Sequence, residues 1–244
     1  MKRTLGIIGF GSFGQFMAKH LAAHFDVRAW NRSDKKSAAD ELGIPYVSLE
    51  DASSSDFVIL SIPVQNYSEL LPQIIPHLNS GSMVIDVASV KIKPVSILLE
   101  QLPESIEIIA THPLFGPQSG KDGIAGLKCV VCDVRSARYE KLREFLGGML
   151  GLELLEMSPE QHDEEIAYVQ GLSHWVSRAL RELKLPDVRL STPAYEHLLE
   201  IERILREDSW ELFLTIEREN PRTAEIRSEL LNKLIDLDRK ILDD

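Results

Sequence analysis

Cysteine is nearly absent from this chain of 244 residues: Cys129 and Cys132 are the only two. Their C-x-x-C spacing invites a redox or metal reading. They sit in KCVVCDV, however, which reads as a strand, and strand positions three apart point to opposite faces. Two structural cysteines and no metal site are therefore expected. Long apolar runs are missing as well. None approaches the ~20 residues of a membrane-spanning helix, so no membrane partner is expected. Positive charge is in deficit, with 27 Lys and Arg against 38 Asp and Glu and a net charge of −11. That balance disfavours nucleic acid and anionic membrane surfaces, and an anionic ligand would need a locally positive pocket. Lys2 and Arg3 precede an apolar run, but no small-residue cleavage site follows it. A secretory signal is thus not read, and a cytoplasmic location is expected.

What is present is a regular alternation. Strand-like runs cover Thr4 to Phe10, Asp26 to Trp30, Phe57 to Pro63, Met83 to Ser89, Ile106 to His112 and Cys129 to Val134, with a last one at Leu152 to Met157. Helical segments separate most of them: Ser12 to His24, Asp34 to Leu42, Tyr67 to His77, Pro94 to Gln101 and Ala137 to Leu150. Such alternation predicts an α/β, Rossmann-type doubly wound and mostly parallel sheet over residues 1–157. At Ser158 the pattern changes. Ser158, Pro159 and Gln161 form a helix start, with a serine cap, proline at the first position and glutamine three after the cap. Three apolar stripes follow at helical spacing: Ile166, Val169, Leu172, Val176 and Leu180; Leu198, Ile201, Leu205, Leu212 and Ile216; Leu230, Leu231, Leu234, Leu237 and Ile241. Residues 158–244 are read as an all-helical domain for substrate binding and dimerisation. So small a helical segment has little core of its own, which suggests a homodimer through these helices.

Gly9, Gly11 and Gly14 form G-x-G-x-x-G between the first strand and the first helix, a dinucleotide-binding context. Ser12 and Phe13 complete the loop, and the helix N-terminus offers N–H donors to a pyrophosphate. NAD sites commonly place a carboxylate after the second strand, on the ribose 2′-hydroxyl. Here Asn31, Arg32 and Ser33 occupy that place. A guanidinium suits a 2′-phosphate, so NADP is the expected cofactor. Ser61 and Pro63, ending the third strand, are placed beside the nicotinamide ribose.

Ser89 and His112 end the fourth and fifth apolar runs, on the carboxyl edge where open α/β sheets hold ligands. Pro113 biases His112 toward extended backbone. Imidazole titrates near neutrality, so His112 suits the role of proton acceptor in a nicotinamide-dependent alcohol oxidation, with Ser89 as a hydrogen-bond partner of the same hydroxyl.

Four longer motifs sharpen this reading: DVASVK (Asp86 to Lys91), THPLFGPQSGKDG (Thr111 to Gly123), HDEEIAYVQGLSHWVSRAL (His162 to Leu180) and TPAYEHLLEIERILREDSWELF (Thr192 to Phe213). In this order the chain resembles the prephenate/arogenate dehydrogenase family of tyrosine biosynthesis, from Gly6 to about Phe213. The resemblance implies oxidative decarboxylation of a small-molecule substrate, arogenate or prephenate, with His112 taking the hydroxyl proton and Ser89 holding the C4 hydroxyl. It gives His174 a substrate-positioning role, with Gln170 four residues earlier on the same helical face. An anionic substrate needs cations, and Arg203 is the sharpest candidate, with Lys91 and Lys121 behind it. Arg203 and Asp208 keep a spacing found in prephenate-using members, whereas other motifs read like the arogenate-using branch, which generally lacks that arginine. The acids after His162 complement a helix dipole, so no metal site is read there. Two other readings compete. One is a β-hydroxyacid dehydrogenase or imine reductase; the former class typically carries a catalytic lysine and asparagine that His162 to Leu183 does not contain. The other is a non-catalytic NADP-binding sensor, which would not need Ser89, His112 and His174.

Overall fold

The computed structural model describes residues 2–186 and 188–243. The chain divides into two compact units, Met1–Pro159 and Glu160–Asp244.

The first unit is built on seven strands: β1 (Thr4–Ile8), β2 (Asp26–Trp30), β3 (Phe57–Leu60), β4 (Met83–Asp86), β5 (Glu107–Pro113), β6 (Lys128–Arg135) and β7 (Glu153–Glu156). Their order in the sheet is β2-β1-β3-β4-β5-β6-β7. The first five run parallel, β6 is antiparallel to β5, and β7 is parallel to β6. This is a Rossmann-type sheet. The central strands are apolar throughout because both faces are covered. Ile7, Ile59, Ile85 and Ile109 pack on one face, and Ile8, Val58, Val84 and Ile108 on the other. Each is fully or almost fully buried, and such a side chain contributes about 1.5–3 kcal/mol. Cys129 and Cys132 fall in clusters on opposite faces of β6, both buried and neither in a disulfide.

Helices connect the strands: α1 (Ser12–Leu21), α2 (Lys36–Glu41), α3 (Leu49–Ser53), α4 (Tyr67–Ile74), α5 (Ile92–Gln101) and α6 (Tyr139–Arg143). The short α3 is a helix the hydrophobic pattern does not reveal. Its local signal is Ser48, whose hydroxyl accepts from Asp51 N at 3.0 Å. The segment expected as one helix over 137–150 is α6 continued by a π-helical stretch, Glu144–Met149.

The strand expected to reach Ser89 stops at Asp86, because the Asp86 carboxylate turns the chain. Asp86 Oδ1 accepts from Ala88 N at 3.0 Å and from the Tyr67 hydroxyl at 2.6 Å. Asp86 Oδ2 is paired with the Lys91 ammonium. Lys91 also donates to the Thr111 carbonyl at 2.6 Å, and Thr111 Oγ1 donates to the Asp86 carbonyl at 2.9 Å. Asp86 and Lys91 are both 0% exposed. Burial and the Asp86 charge push the Tyr67 phenol well above its ordinary value.

The second unit contains α7 (Pro159–Ile166), α8 (Ser173–Leu183), α9 (Pro193–Leu205), α10 (Trp210–Glu219) and α11 (Thr223–Asp243), with no strand among its described residues. Thr192 and Ser209 cap α9 and α10 through Tyr195 N and Leu212 N. His162 and Asp163 are buried and share a 2.7 Å contact, and Asn220 Nδ2 donates to the Asp163 carbonyl at 2.7 Å. That bond joins α7 to the α10–α11 turn. The first apolar stripe needs correcting. A π-helical stretch, Ala167–Leu172, lies between α7 and α8. Its wider turn rotates the phase, so Ala167, Gly171, His174 and Ser177 face inward while Val169 is exposed. The stripe on α11 is also exposed in this unit: Leu231, Leu234, Leu237 and Ile241 are 46–75% accessible. No helix among the described residues is long and apolar enough to cross a membrane.

Removing one partner of a fully buried ion pair strands the other charge. Lys91→Met is therefore expected to destabilise the protein by about 3–5 kcal/mol, with Asp86→Leu/Lys91→Met costing less than the two single changes together. Urea unfolding of the three variants measures this. A loss under about 1 kcal/mol for Lys91→Met would place it among ordinary surface changes and remove the pair as a structural element.

Candidate active site

The carboxyl ends of β1, β3, β4 and β5 form one edge of the sheet, and the strand order reverses between β2-β1 and β3. Such a reversal opens a crevice for ligands. The glycine loop follows β1 directly. Gly9 has φ +105°, and a Cβ there would lie 2.1 Å from the Ser61 carbonyl oxygen; a Cβ on Gly14 would lie 2.1 Å from the Gly9 carbonyl oxygen. Neither site accepts a side chain. Gly11 differs, since a Cβ there would meet nothing within 4 Å. The space in front of Gly11 is open, and α1 begins beside it with no side-chain cap on its first N–H groups. Exposed Ser12 and half-buried Phe13 open that helix. These features fit a dinucleotide pyrophosphate.

Asn31, at the position after β2 where the 2′-phosphate is expected, is already engaged. Its Oδ1 accepts from Phe10 N at 2.9 Å, and its Nδ2 donates to Ser33 O and Ser33 Oγ, both at 2.9 Å. It is a strut joining the end of β2 to the glycine loop rather than a free donor. Arg32 is exposed and has no hydrogen bond or ion pair among the described residues. Ser33 is exposed beside it. Ser61 N donates to Ile8 O at 2.8 Å, which holds the half-buried Ser61–Pro63 segment against the glycine loop.

Ser89 lies three residues past the end of β4, half-buried, and its hydroxyl makes no hydrogen bond to the described residues. His112 is the penultimate residue of β5, opposite Val130 on β6, and is 3% exposed. Asp86 pairs in register with Ala110, two residues before His112, so Asp86 and His112 share one face of neighbouring strands. Lys91 must be withdrawn as a substrate-binding cation. Its ammonium is fully buried and engaged by Asp86 and Thr111. A signal for this was available, since a carboxylate ending the apolar run MVID needs a buried counter-charge. Burial pushes the Cys129 thiol up to about 12, which makes it a poor nucleophile or metal ligand. Lys121 lies exposed in the loop after β5.

In the helical unit, His174 is buried, and its Nε2 lies 3.7 Å from Asp208 Oδ2. Burial holds its pKa below the ordinary imidazole value; Asp208 opposes this and Arg178 adds to it. Burial likewise raises the Asp208 carboxyl. Gln170 sits half-buried in the π-helical stretch preceding α8. Arg203 does not join this group. Its side chain is 69% exposed and forms an i,i+3 pair with Glu200, with Nε 2.7 Å from Oε2. The residue that does reach the His174 environment is Arg178, which the sequence motifs did not single out. Its Nη2 donates to the Asp208 carbonyl at 2.5 Å.

Comparison with known proteins agrees with this geometry. Residues 19–143 match the family model described as prephenate dehydrogenase, nucleotide-binding domain. Arogenate dehydrogenase 1, chloroplastic, of Arabidopsis thaliana is 33% identical over 232 residues, covering 91% of this chain and 36% of that protein. The prephenate dehydrogenase of Aquifex aeolicus superposes with a TM-score of 0.72 at 25% identity, over 99% of this chain and 94% of that one. A second structure of it, in complex with hydroxyphenyl propionate and NAD+, matches at 24% identity with the same TM-score, over 100% and 93% of the two chains. The chain spans 36%, 65% and 55% of the lengths of two plant relatives and one archaeal relative. A glycine loop, a strand-end histidine and a matching nucleotide-binding domain lead to one assignment: this chain belongs to the prephenate dehydrogenase family.

Proposed function

We propose that the protein catalyses the NADP-dependent oxidative decarboxylation of arogenate or prephenate. The observation that carries this reading is the carboxyl edge of four adjacent parallel strands, which presents in order the glycine loop, Ser61, Ser89 and His112. Gly9, Gly11, Gly14, Ser12 and Phe13 would hold the pyrophosphate, Ser61 and Pro63 the nicotinamide ribose, and Arg32 and Ser33 the 2′-phosphate. Bound there, the nicotinamide would supply the acceptor for the hydride that leaves C4 of the cyclohexadienol. Ser89 accepts or donates a hydrogen bond at the C4 hydroxyl and orients it, while His112 takes its proton. Loss of carbon dioxide from the ring then delivers an electron pair that completes the aromatic ring and leaves a phenolate oxygen. His112 returns its proton to that oxygen, so the imidazole ends each turnover as it began. Aromatisation supplies the driving force; the protein supplies position and charge. His174, with Gln170, orients the substrate. The preference for NADP rests on the unpaired Arg32 guanidinium and on the absence of a carboxylate at the end of β2.

We further propose that a second copy of the chain covers the apolar stripe of α11. Four large aliphatic side chains on one helix, each about half exposed or more, form a patch that a monomer rarely carries.

Arg32→Ala is expected to raise the Michaelis constant for NADP about 10- to 100-fold, the scale of a lost charged hydrogen bond, and to leave that for NAD within a few-fold. Equal effects on both cofactors would remove Arg32 from this role. With NADP and either substrate, absorbance of reduced nicotinamide should rise, and His112→Asn should lower that rate about 100-fold or more while NADP binding persists. No signal from the unaltered protein with either substrate would end the proposal. Light scattering at micromolar concentration should report twice the chain mass, and Leu234→Glu/Leu237→Glu should reduce it to one; a monomer before substitution would refute the dimer.

A further inference from the structure

We propose that the first unit holds a second ligand site, an apolar channel behind the sheet that takes a linear aliphatic carboxylate; it does not rest on the reaction assigned above. A cavity of about 230 Å³ lies between the sheet, α1 and the segment that runs from α6 through the π-helical stretch Glu144–Met149. Protein interiors hold few voids larger than a water molecule, and an apolar cavity of about 150 Å³ is enough to bind benzene. Met83, Ile85 and Val87, alternate residues along β4 and just past its end, line one side. Met17 of α1, Leu142 of α6 and Leu146 line the other. The run from Met83 to Val87 spans roughly 13 Å at ~3.3 Å per residue, so the cavity is long as well as apolar. Thr111 and Pro113 also line it, and His112 between them points to the opposite face of β5. The sheet therefore separates this channel from the proton acceptor, and among the described residues none of the glycine loop, Ser61 or Ser89 lines it.

Charge is confined to one end of the channel. Arg3, Arg138 and Lys141 line it at the amino-terminal edge of the sheet, in a chain whose net charge is −11. Arg3 and Arg138 both stand over the Phe57 ring, 5.8 and 5.5 Å from its centroid. Phe25 meets Phe57 and Phe145 edge-on at 5.4 and 5.2 Å, so half-buried aromatic rings frame this end. Arg138 is engaged by Glu107 and by the Gly81 carbonyl, both at 2.7 Å. Arg3 and Lys141 are exposed, and their side chains have no hydrogen bond or ion pair among the described residues. Asp56, whose carboxyl feels the Arg3 charge, is held by Thr4 N and Thr4 Oγ1 at 2.8 and 2.9 Å. Two open cations at the mouth of an apolar channel match an aliphatic tail with a singly charged anionic head. A neutral hydrocarbon would leave the cations unused, and a polyanion such as a nucleotide would have to bury charge among aliphatic side chains.

The test uses the full chain with decanoate, below its micellar concentration, and 1-decanol, which has the same tail and no charge. Methionine methyl carbon-13 spectra read the site in the unaltered protein. Decanoate should shift the signals of Met17 and Met83, which line the channel, and leave those of Met149 and Met157 in place. Calorimetry should show saturable binding of decanoate, with 1-decanol weaker by about 10-fold or more. Arg3→Gln/Lys141→Gln should weaken decanoate about 10- to 100-fold and leave 1-decanol within a few-fold. Leu146→Trp, which fills the channel, should abolish the binding of both; if that variant does not fold, the methionine shifts still locate the site. Unshifted Met17 and Met83 signals, equal affinities for decanoate and 1-decanol, or decanoate binding untouched by the double substitution or by Leu146→Trp would each overturn the proposal. Phosphatidylglycerol vesicles that sediment the protein, while decanoate leaves the methyl signals in place, would assign the cations to a lipid surface and overturn it as well.

Discussion

Asp86 and Lys91 meet beneath the carboxyl edge of the sheet, out of contact with water. Taking two charges out of solvent costs several kcal/mol for each ion, so the pair persists only where every remaining donor and acceptor finds a partner. Tyr67 and Ala88 occupy the other carboxylate oxygen, and the Thr111 carbonyl occupies the ammonium. Tyr67 also donates to Leu60 O at 3.2 Å. The cluster thus ties together the ends of β3, β4 and β5, and the residue after Thr111 is His112. The segment carrying His112 is thus held by a network whose loosening would strand a buried charge.

The helical unit uses the same physics in a half-buried setting. Asp208 is drawn toward His174, while its backbone carbonyl anchors Arg178 against two stacked rings. Burial keeps His174 neutral to lower pH than a solvated imidazole, which leaves Arg178 as the fixed positive charge of the group. Arg181, Arg203 and Arg206 pair with glutamates, Arg203 with Glu200 at the surface and the other two with the partly buried Glu202. An exposed pair such as Arg203–Glu200 stabilises by only about 0–1 kcal/mol.

The sheet, the glycine loop, the strand-end histidine and the helical character of the second unit were legible in the sequence. Each is written in short-range pattern: continuous apolar runs for strands buried on both faces, glycine spacing for a tight turn, and capping residues for helix starts. The extent of β4 was not legible, because Asp86 ends it through bonds to Tyr67 and Lys91. The inward face of α7–α8 was also misplaced, since one wide π-helical stretch shifts the phase and periodicity assumes a constant turn.

Residue types alone therefore determined that this chain makes a Rossmann-type sheet followed by helices, with an imidazole at the end of β5 and no carboxylate in the three residues directly after β2. Which charges remain available was decided by the tertiary structure. Lys91 and Arg203 read as open cations in the sequence, and both are paired; Arg178 did not stand out, and it keeps unengaged donors. Hydrogen-bond strength falls off within an ångström or so, and the contact between Arg178 and Asp208 spans 30 positions of chain. Spacing along the sequence carries no record of such distances until the chain has folded.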